Sequence, residues 1–360
     1  MRLFQILGIP PSYKPRLQAL KQNAHTFREQ SAVFLADRYA ASHVLKPVLD
    51  GDPGSCLTVG NDEDMQRAWA RENGLGESAT LEEILLAQIE EHRADVVYNL
   101  DPLRFDSAFV RKLPGGVKHK LCWRAAPSPN PDFGAYDLVL CNFPSIMDMW
   151  VRMGFKSAYF APAHDPAMDA IVDRAEKTVD IVFVGGFSRH HKRRTQLLEA
   201  IASLASGYRV VLSLDVSRLT QLAETPLGIL PPLRSHRRPE AIRKTSTAPT
   251  WGRDLYSLLA SSKIVFNGAI DMAGEDRGNQ RCFETMGCGA LLVTDEGRYP
   301  PGMVGDETMI TYNGQSDVVD VLRNALRDWT TASEIAKNGL DMIRTQYSKD
   351  QQWRQFVALL

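Results

Sequence analysis

Residues 263–294, KIVFNGAIDMAGEDRGNQRCFETMGCGALLVT, contain the pattern from which we predict the fold. An apolar run ends at Asn267 and leads into a loop with several glycines. An amphipathic stretch follows over 280–286, and a second apolar run covers 290–294. A change from strand-like to helix-like periodicity and back is typical of a βαβ unit with parallel strands. This stretch therefore predicts a Rossmann-like α/β fold.

The same alternation continues outward from this stretch in both directions. Further short apolar runs predict strands at 1–9, 94–100, 118–123, 136–141, 157–162, 179–184 and 208–214. Amphipathic stretches predict helices at 80–92, 145–153, 192–205, 255–261 and within the tail 331–360. The charged, proline-containing stretch that ends at about residue 250 is predicted to be a loop. Residues 20–70 show no clear pattern.

The length of 360 residues exceeds what a single hydrophobic core usually supports, so we predict two domains. The expected divisions are a Rossmann-like N-terminal domain over 1–168 and a Rossmann-like C-terminal domain over 169–335. Residues 336–360 are expected to form a helix that returns to the N-terminal domain and packs across both. Ligands of such sheets bind at the carboxyl ends of the strands, so we expect the functional site in the cleft between the domains.

Composition excludes several classes of protein. A hydrophobic content of 44% and a charged content of 24% are those of a globular chain, not of a disordered or collagen-like one. The net charge of -1 provides no overall field for nucleic acid, which we do not expect as a partner. Five cysteines without CxxC spacing fit neither a disulfide framework nor a zinc knuckle and indicate a reducing, cytoplasmic location.

Membrane and targeting segments are not expected either. The apolar run at the N-terminus contains Gln5 and stops at Pro10, which indicates a strand, not a signal peptide. No apolar stretch approaches the roughly 18 residues of a membrane-spanning helix.

Several enzyme motifs are absent from the sequence. It contains no Walker A motif, no G-x-S-x-G and no H-E-x-x-H. The turn Gly8–Pro11 after the first strand lacks G-x-G-x-x-G, which argues against a dehydrogenase. The triplets Asp50–Asp52 and Asp62–Asp64 match D-x-D formally, but they lie far from the glycine loops. We therefore expect no metal at these two triplets.

The loop and helix after Asn267 contain residues that could bind an anion and hydroxyl groups. Gly274 and Gly278 let the backbone approach a ligand, and free N–H groups at the helix start near Asn279 favour an anion such as a diphosphate. Arg281 and Glu284 share a helix face, where the carboxylate could accept hydrogen bonds from sugar or ribose hydroxyls beside a cation for phosphate. An ordinary surface ion pair explains the same spacing.

A second cluster lies at 184–194, where a strand, a glycine turn and four permanent cations meet the start of a helix. Cations there oppose the helix dipole, which makes sense if they face a diphosphate. A solvated basic helix start and a patch that contacts RNA are the alternatives. The predicted anion-binding residues of this cluster are Gly185, Gly186, Arg189, Lys192 and Arg194.

Here the sequence resembles a known family. The run Asp276-x7-Glu284 followed by Met286-Gly-Cys-Gly289 resembles the E-x7-E-x-x-x-C-G element of retaining GT-B glycosyltransferases, with Asp in the first position. Asn279-x-Arg281-x-Phe283-Glu284 and Leu291-Leu-Val-Thr-Asp295 are similar to N-x-R-x-F-E and L-L-T-D in CgeB-type (spore maturation protein-like) glycosyltransferases of the family 4-like group. The resemblance covers most of 160–357.

Asn267 and the segment Asp271-x-Ala-Gly274 also look like the strand-end motif of the CgeB-type group. Ala269 replaces a histidine that is often found there.

The resemblance implies a GT-B enzyme that moves a sugar from a nucleotide diphosphate donor, held by the C-terminal domain, to an acceptor on the N-terminal domain. It implies that Glu284 binds the nucleotide ribose, that Asp276 contacts the donor sugar and that Arg194 stabilises the departing diphosphate. Retention of the anomeric configuration is a further implication, as is transfer that requires neither a metal nor another cofactor. The remaining expected donor-binding residues are Gly185, Gly186, Arg189, Lys192, Asn267, Asp271, Gly278, Asn279 and Arg281.

The acceptor is left open as a glycan, a lipid, a protein or a small molecule. His164 ends a predicted strand and is expected on the acceptor side of the cleft, although a structural role explains it equally well. The basic stretch Arg234–Lys244, with Arg237, Arg238 and Arg243, could meet an anionic acceptor or a phospholipid at a peripheral membrane contact, or form a solvated loop.

Three other functions stay open at this point. The first is a nucleotide-sugar epimerase or hydrolase on the same fold. The second is a non-catalytic sugar- or nucleotide-binding or assembly protein. The third is nucleic-acid binding through the cluster from Arg189 to Arg194.

Overall fold

The computed structural model describes residues 1–187, 192–268 and 273–360, without the side chains of Lys192, Gln315 and Ser316. The chain divides into two compact units. The first unit contains Met1–Ala163, Met272–Asp276 and Lys349–Leu360, and the second contains His164–Asp271 and Arg277–Ser348. Whether these units coincide with the expected acceptor domain over 1–168 and donor domain over 169–335 stays a prediction.

The first unit contains a parallel sheet in the order β2-β1-β3-β4-β5-β6. Its strands are β1 Leu3–Leu7, β2 Ser55–Val59, β3 Val96–Asn99, β4 His119–Trp123, β5 Leu138–Cys141 and β6 Ser157–Tyr159. The helices between them are α1 Lys14–Leu20, α2 Phe27–Asp37, α3 Lys46–Leu49, α4 Glu63–Glu72, α5 Leu81–Glu91, α6 Ser107–Val110 and α7 Pro144–Arg152. Helices cover both faces of such a sheet, which explains why its central strands are rich in buried apolar residues.

Residues 20–70, which the sequence left unassigned, contain α2, α3, β2 and α4. The buried residues of α2 are Gln30, Phe34 and Asp37, so the helix has no apolar stripe for sequence periodicity to detect. Its start does carry a signal, because Thr26 and Glu29 form a capping box.

The second unit contains a parallel sheet in the order β12-β11-β10-β7-β8-β9. Its strands are β7 Val179–Phe187, β8 Val210–Val216, β9 Ser246–Thr247, β10 Ser262–Asn267, β11 Leu291–Asp295 and β12 Ile310–Tyr312. Its helices are α8 Asp169–Val172, α9 Lys192–Ser203, α10 Arg218–Ala223, α11 Pro231–Arg234, α12 Glu240–Thr245, α13 Gly252–Ala260, α14 Gln280–Gly287, α15 Gln315–Arg327 and α16 Trp329–Gln346. The βαβ unit β10-α14-β11 predicted from 263–294 is thereby confirmed.

The prediction of a loop up to residue 250 was wrong. This stretch folds into α10, a 3-10 helix over Pro226–Ile229, α11, α12 and the short strand β9. Proline was interpreted as a helix breaker, but in the 3-10 helix and in α11 it occupies the first turn, where its missing N–H costs nothing.

The tail is helical, as predicted, but it forms two helices that belong to different units. Helix α16 lies in the second unit, and α17 Lys349–Ala358 lies in the first. Phe356 packs between Tyr98 and Phe160, with ring centroids 5.1 and 5.8 Å away. The buried Lys349 ammonium donates hydrogen bonds to the carbonyl oxygens of Ser42 and Val44, at 3.0 and 2.7 Å. Helix α17 therefore completes the core of the first unit.

In the part of the chain that the structure describes, we find no helix with the length and apolar character needed to span a bilayer.

Candidate functional site

The carboxyl ends of the strands in the second unit meet at one edge of its sheet, because all the paired strands are parallel. This edge is where α/β sheets usually bind ligands. Residues Phe187, Val216, Asn267, Asp295 and Tyr312 end the strands there. Gly185 and Gly186, two of the predicted donor-binding residues, directly precede Phe187, the last residue of β7. Arg189, Asp271 and the Lys192 side chain lie outside the described residues.

Arg194, in the first turn of α9, lies at this edge. Its Nη2 donates a hydrogen bond to the carbonyl oxygen of Gly268, 2.8 Å away, just beyond the end of β10. The guanidinium carbon lies 5.8 Å from the centroid of the Phe183 ring. Burial lowers the pKa of Arg194, which nevertheless stays charged at neutral pH. Its Nε is buried and has no hydrogen-bond partner, so this fixed cation has an unused donor.

Asn267 joins the end of β10 to the neighbouring elements. Its buried Nδ2 lies 3.3 Å from Thr294 Oγ1 and 3.5 Å from Cys282 Sγ, and its Oδ1 accepts a hydrogen bond from Asn279 Nδ2 at 3.2 Å. Asn279 is the N-cap residue of α14, but its side chain makes no capping hydrogen bond. The first N–H groups of α14 therefore have no side-chain cap from Asn279.

Glu284 and Arg281 form an ion pair on one face of α14, with 2.5 Å between Glu284 Oε2 and Arg281 Nη1. The alternative of an ordinary surface pair was wrong, because the Glu284 side chain is only 4% exposed and that of Arg281 18%. Gln280 Nε2 donates a hydrogen bond to Glu284 Oε1 at 2.8 Å. A carboxylate enclosed in this way is costly unless it is paired, and Arg281 and Gln280 provide its partners.

Arg277 and Asp295, which the sequence reasoning did not single out as site residues, form a second ion pair at this edge. Arg277 Nε lies 2.6 Å from Asp295 Oδ2, and both side chains are about nine-tenths buried. Tyr299 Oη donates a hydrogen bond to the carbonyl oxygen of Asp295 at 2.6 Å. The polar pair Thr294-Asp295 at the end of an apolar run was the available signal, because ligands of α/β sheets bind beyond the carboxyl ends of the strands.

Gly278 follows Arg277 and has a φ of +99°, a conformation that L side chains rarely adopt. A Cβ atom at this position would lie 2.4 Å from Pro300 Cδ. The glycine is therefore required for close packing of this loop against residue 300.

Asp276, predicted to contact the donor sugar, is assigned to the first unit. Its buried Oδ2 accepts a hydrogen bond from the backbone N–H of Ser145 at 2.5 Å. The Ser145 hydroxyl donates to the carbonyl oxygen of Ala273 at 2.7 Å. Ser145 lies in the first turn of α7, whose N-cap residue Phe143 provides no side-chain cap. Asp276 therefore caps α7 and places a negative charge at the positive end of its dipole.

His164, expected on the acceptor side, lies in the second unit and is only 4% exposed. Its Nε2 lies 2.9 Å from Asp169 Oδ1, which also pairs with Arg344 Nη2 at 2.7 Å. Burial lowers the pKa of His164, partly offset by the Asp169 carboxylate, so the ring is neutral at neutral pH. These contacts fit the structural alternative, and a contact with the acceptor stays a prediction.

Among the described residues, no three His, Cys, Asp or Glu side chains are grouped so that they could hold a metal ion. Of the D-x-D triplets, Asp62 caps α4 and pairs with the buried Lys21 ammonium at 2.6 Å.

Comparisons with known proteins agree with this architecture. Residues 193–358 match the family described as glycosyl transferase-like. No curated protein matches the chain.

Solved structures match over nearly the whole length. HepE of Anabaena, in complex with UDP and glucose, has a TM-score of 0.59 at 11% identity, covering 100% of this chain and 99% of HepE. Sucrose-phosphate synthase of Thermosynechococcus elongatus has a TM-score of 0.55 at 10% identity, with 100% and 98% covered. A glycosyltransferase of Rickettsia africae has a TM-score of 0.56 at 10% identity, with 99% and 97% covered. At such identities the likeness shows the fold. Residues 193–358 therefore match a glycosyl transferase-like family, and the whole chain has the fold of the GT-B glycosyltransferases.

Proposed function

We propose that this protein transfers a glycosyl group from a nucleotide diphosphate sugar to an acceptor held by the first unit, and that it is of the CgeB type. The observation that carries the proposal is the convergence of Arg194, the start of α14 and the buried Glu284 at one edge of the second sheet. The proposed location is the cytoplasm, which the five free cysteines support.

The diphosphate of the donor is proposed to bind between Arg194 and the start of α14. Arg194 is held against Gly268 with one guanidinium N–H unused, and Asn279 leaves the first N–H groups of α14 without a side-chain cap. Such N–H groups and the helix dipole favour an anion. In the transfer, the bond between C1 of the sugar and the phosphate oxygen breaks, and these groups stabilise the charge that develops on the leaving diphosphate.

The ribose is proposed to bind Glu284. Arg281 and Gln280 each occupy one of its oxygens, and a carboxylate has about four acceptor sites, so it can accept further hydrogen bonds from ribose hydroxyls. As C1 forms its new bond to the acceptor oxygen, the acceptor proton passes to the leaving phosphate. Retention of the anomeric configuration and independence of metal are parts of the proposal that rest on the E-x7-E resemblance.

UDP is the nucleotide we propose, since HepE binds UDP and glucose on the same fold. The test is a thermal-shift screen in EDTA with UDP-, GDP-, dTDP- and CMP-sugars. A ligand at 100 times its dissociation constant stabilises the folded state by about 2.7 kcal/mol. We expect a shift with UDP-sugars that is lost in Arg194→Gln.

Arg193→Gln is the matched control, because Arg193 is the exposed neighbour of Arg194. The melting temperatures without ligand show whether either variant has lost stability. No shift with any nucleotide sugar, or an equal loss in the Arg193→Gln variant, would contradict the proposed donor site. Turnover without an acceptor would instead indicate a hydrolase or an epimerase, and binding without turnover would indicate a non-catalytic protein.

A further inference from the structure

Large apolar side chains are exposed together on one short segment of the second unit. Among the described residues, twelve large hydrophobic side chains are exposed, and five of them fall within residues 219–230. These five, which we call the apolar patch, are Leu219 (50% exposed), Leu222 (40%), Leu227 (55%), Ile229 (77%) and Leu230 (53%). Single exposed hydrophobic residues are common in soluble proteins, but clusters of this kind mark interaction surfaces.

The fold of this segment directs the apolar patch outward. Leu219 and Leu222 are three apart and share one face of α10, while the buried residues of this helix are the small Thr220 and Ala223. Gly228 packs so closely beneath them that a Cβ atom there would lie 1.7 Å from the carbonyl oxygen of Ala223. Most surface helices bury their leucines and expose their polar face, and α10 does the opposite.

The charges around the apolar patch are almost all positive. Residues 217–239 contain four arginines and a single acidic residue, Glu224. Glu224 is neutralised by Arg238, whose Nε and Nη2 lie 2.6 and 2.7 Å from the two carboxylate oxygens. Arg218, Arg234 and Arg237 are exposed, and the segment holds no further acidic residue for them. Glu240, the next residue after the segment, pairs with Lys244 at 2.7 Å and also lies near Arg237.

We propose that the apolar patch and these three arginines dock the protein on an anionic lipid membrane. The leucines and Ile229 would enter the boundary between headgroups and acyl chains, and the arginines would bind lipid phosphates. Charge complementarity selects this occupant. A second copy of the chain would place arginines next to arginines, which repel each other. A dissolved anion would bind the arginines but would not cover the five exposed apolar side chains. The proposal involves none of the residues assigned to the donor.

Vesicle sedimentation of the full chain tests this docking. We expect the protein to sediment with vesicles of phosphatidylcholine and phosphatidylglycerol but not with phosphatidylcholine alone. Each arginine near an anionic surface contributes roughly a 5-fold change in partitioning, so Arg234→Gln combined with Arg237→Gln is expected to lower it about 25-fold. Ile229→Ser with Leu230→Ser is expected to abolish binding, because it removes the apolar insertion.

The control variant is Val151→Ser with Met153→Ser, which removes two large apolar side chains, 57% and 47% exposed, from the first unit. This variant is expected to bind vesicles as the wild type does. All these positions are exposed, so unchanged thermal unfolding will show that each variant is folded. The proposal is overturned by a failure of the wild type to bind anionic vesicles, by equal binding of the patch variants, or by a patch-dependent dimer in sedimentation velocity without vesicle binding.

Discussion

His43 is almost completely enclosed in the first unit, with its ring centroid 4.6 Å from that of Trp123. Burial, and to a smaller extent the nearby Lys349 ammonium, lower its pKa to about 3. An unfolded chain protonates histidine near pH 6.5. As the pH falls below that value, the unfolded state therefore takes up a proton that the folded state does not. The stability that neutral His43 contributes is complete above pH 6.5 and is lost progressively towards pH 3.

We therefore expect the free energy of unfolding to fall more steeply with decreasing pH in the wild type than in His43→Phe, which keeps an aromatic ring but does not titrate. The difference between the two slopes is expected to be about 1.4 kcal/mol per pH unit below pH 6. Urea unfolding at several pH values measures it. Other titrating groups, His164 included, are common to both proteins and cancel, so parallel curves would contradict the burial of a neutral His43.

At the scale of single residues, the sequence predicted the pairs that lie close along the chain. The spacing of Arg281 and Glu284 placed them on one helix face, and their ion pair confirms this. The pair Arg277–Asp295 depends on how β11 lies beside the loop, which spacing alone does not reveal. The burial of a charged pair decides whether it is a surface feature or part of a site. The residues next to the pair in the sequence contain little information on how deeply its side chains are buried.

At the scale of elements, the cap of α7 comes from far along the chain. Asp276 accepts a hydrogen bond from the N–H of Ser145, which lies 131 residues away in the chain. The sequence near α7 therefore contains no capping signal for this helix. Loss of a side-chain cap costs about 0.5–2 kcal/mol. We expect Asp276→Ala to lower the free energy of unfolding by this amount in a urea titration, whereas Asp276→Asn, which keeps an acceptor oxygen, loses less.

Glu275→Ala is the matched control for this prediction, because Glu275 is the exposed neighbour of Asp276. It is expected to leave stability unchanged. An Asp276→Ala variant as stable as Glu275→Ala would mean that the cap contributes nothing. A loss of turnover in Asp276→Asn at near-normal stability would instead support the predicted sugar contact.

Helices and strands were predictable where the pattern of apolar residues alone indicated them. Buried parallel strands such as β7 and β11 contain long apolar runs, so they were recognised directly. Helices α10 and α11 were missed, because the exposed face of α10 is apolar and α11 begins with prolines. Helix α2 was missed for the opposite reason, since its buried face is largely polar.

At the scale of the whole molecule, all five cysteines are free thiols, and four of them are buried. Burial raises the pKa of the Cys56, Cys141 and Cys282 thiols to about 12 and also raises the pKa of Cys122 and Cys288. Thiolates are the reactive form, so these side chains are inert at neutral pH.

We expect a chromogenic thiol reagent to react slowly with the native protein and to detect all five thiols after unfolding in guanidinium. Unfolding without reagent and with a reductant serves as the control for oxidation during handling. Rapid labelling of the native protein would show that the cysteines are accessible. Fewer than five thiols in the unfolded protein would reveal a disulfide.

The α/β class of both units followed from alternating periodicities, since each βαβ unit is specified locally. The two helices of the tail did not follow from periodicity, because 336–360 was expected to form one helix and contains the end of α16 and all of α17. Contacts between distant segments, such as Lys349 with Ser42, leave no local pattern in a single sequence.

The assignment of α17 to the first unit fixes an order of events during translation. The six strands of the first sheet leave the ribosome before any strand of the second, yet Phe356 and Lys349, which complete their core, are made only after the second unit. Until α17 is made, the nascent first unit therefore has an open groove beside Tyr98 and Phe160. Chaperones that bind exposed aromatic surface would have their longest opportunity at this groove, and a ribosome stalled near residue 340 would hold the chain in that unfinished state.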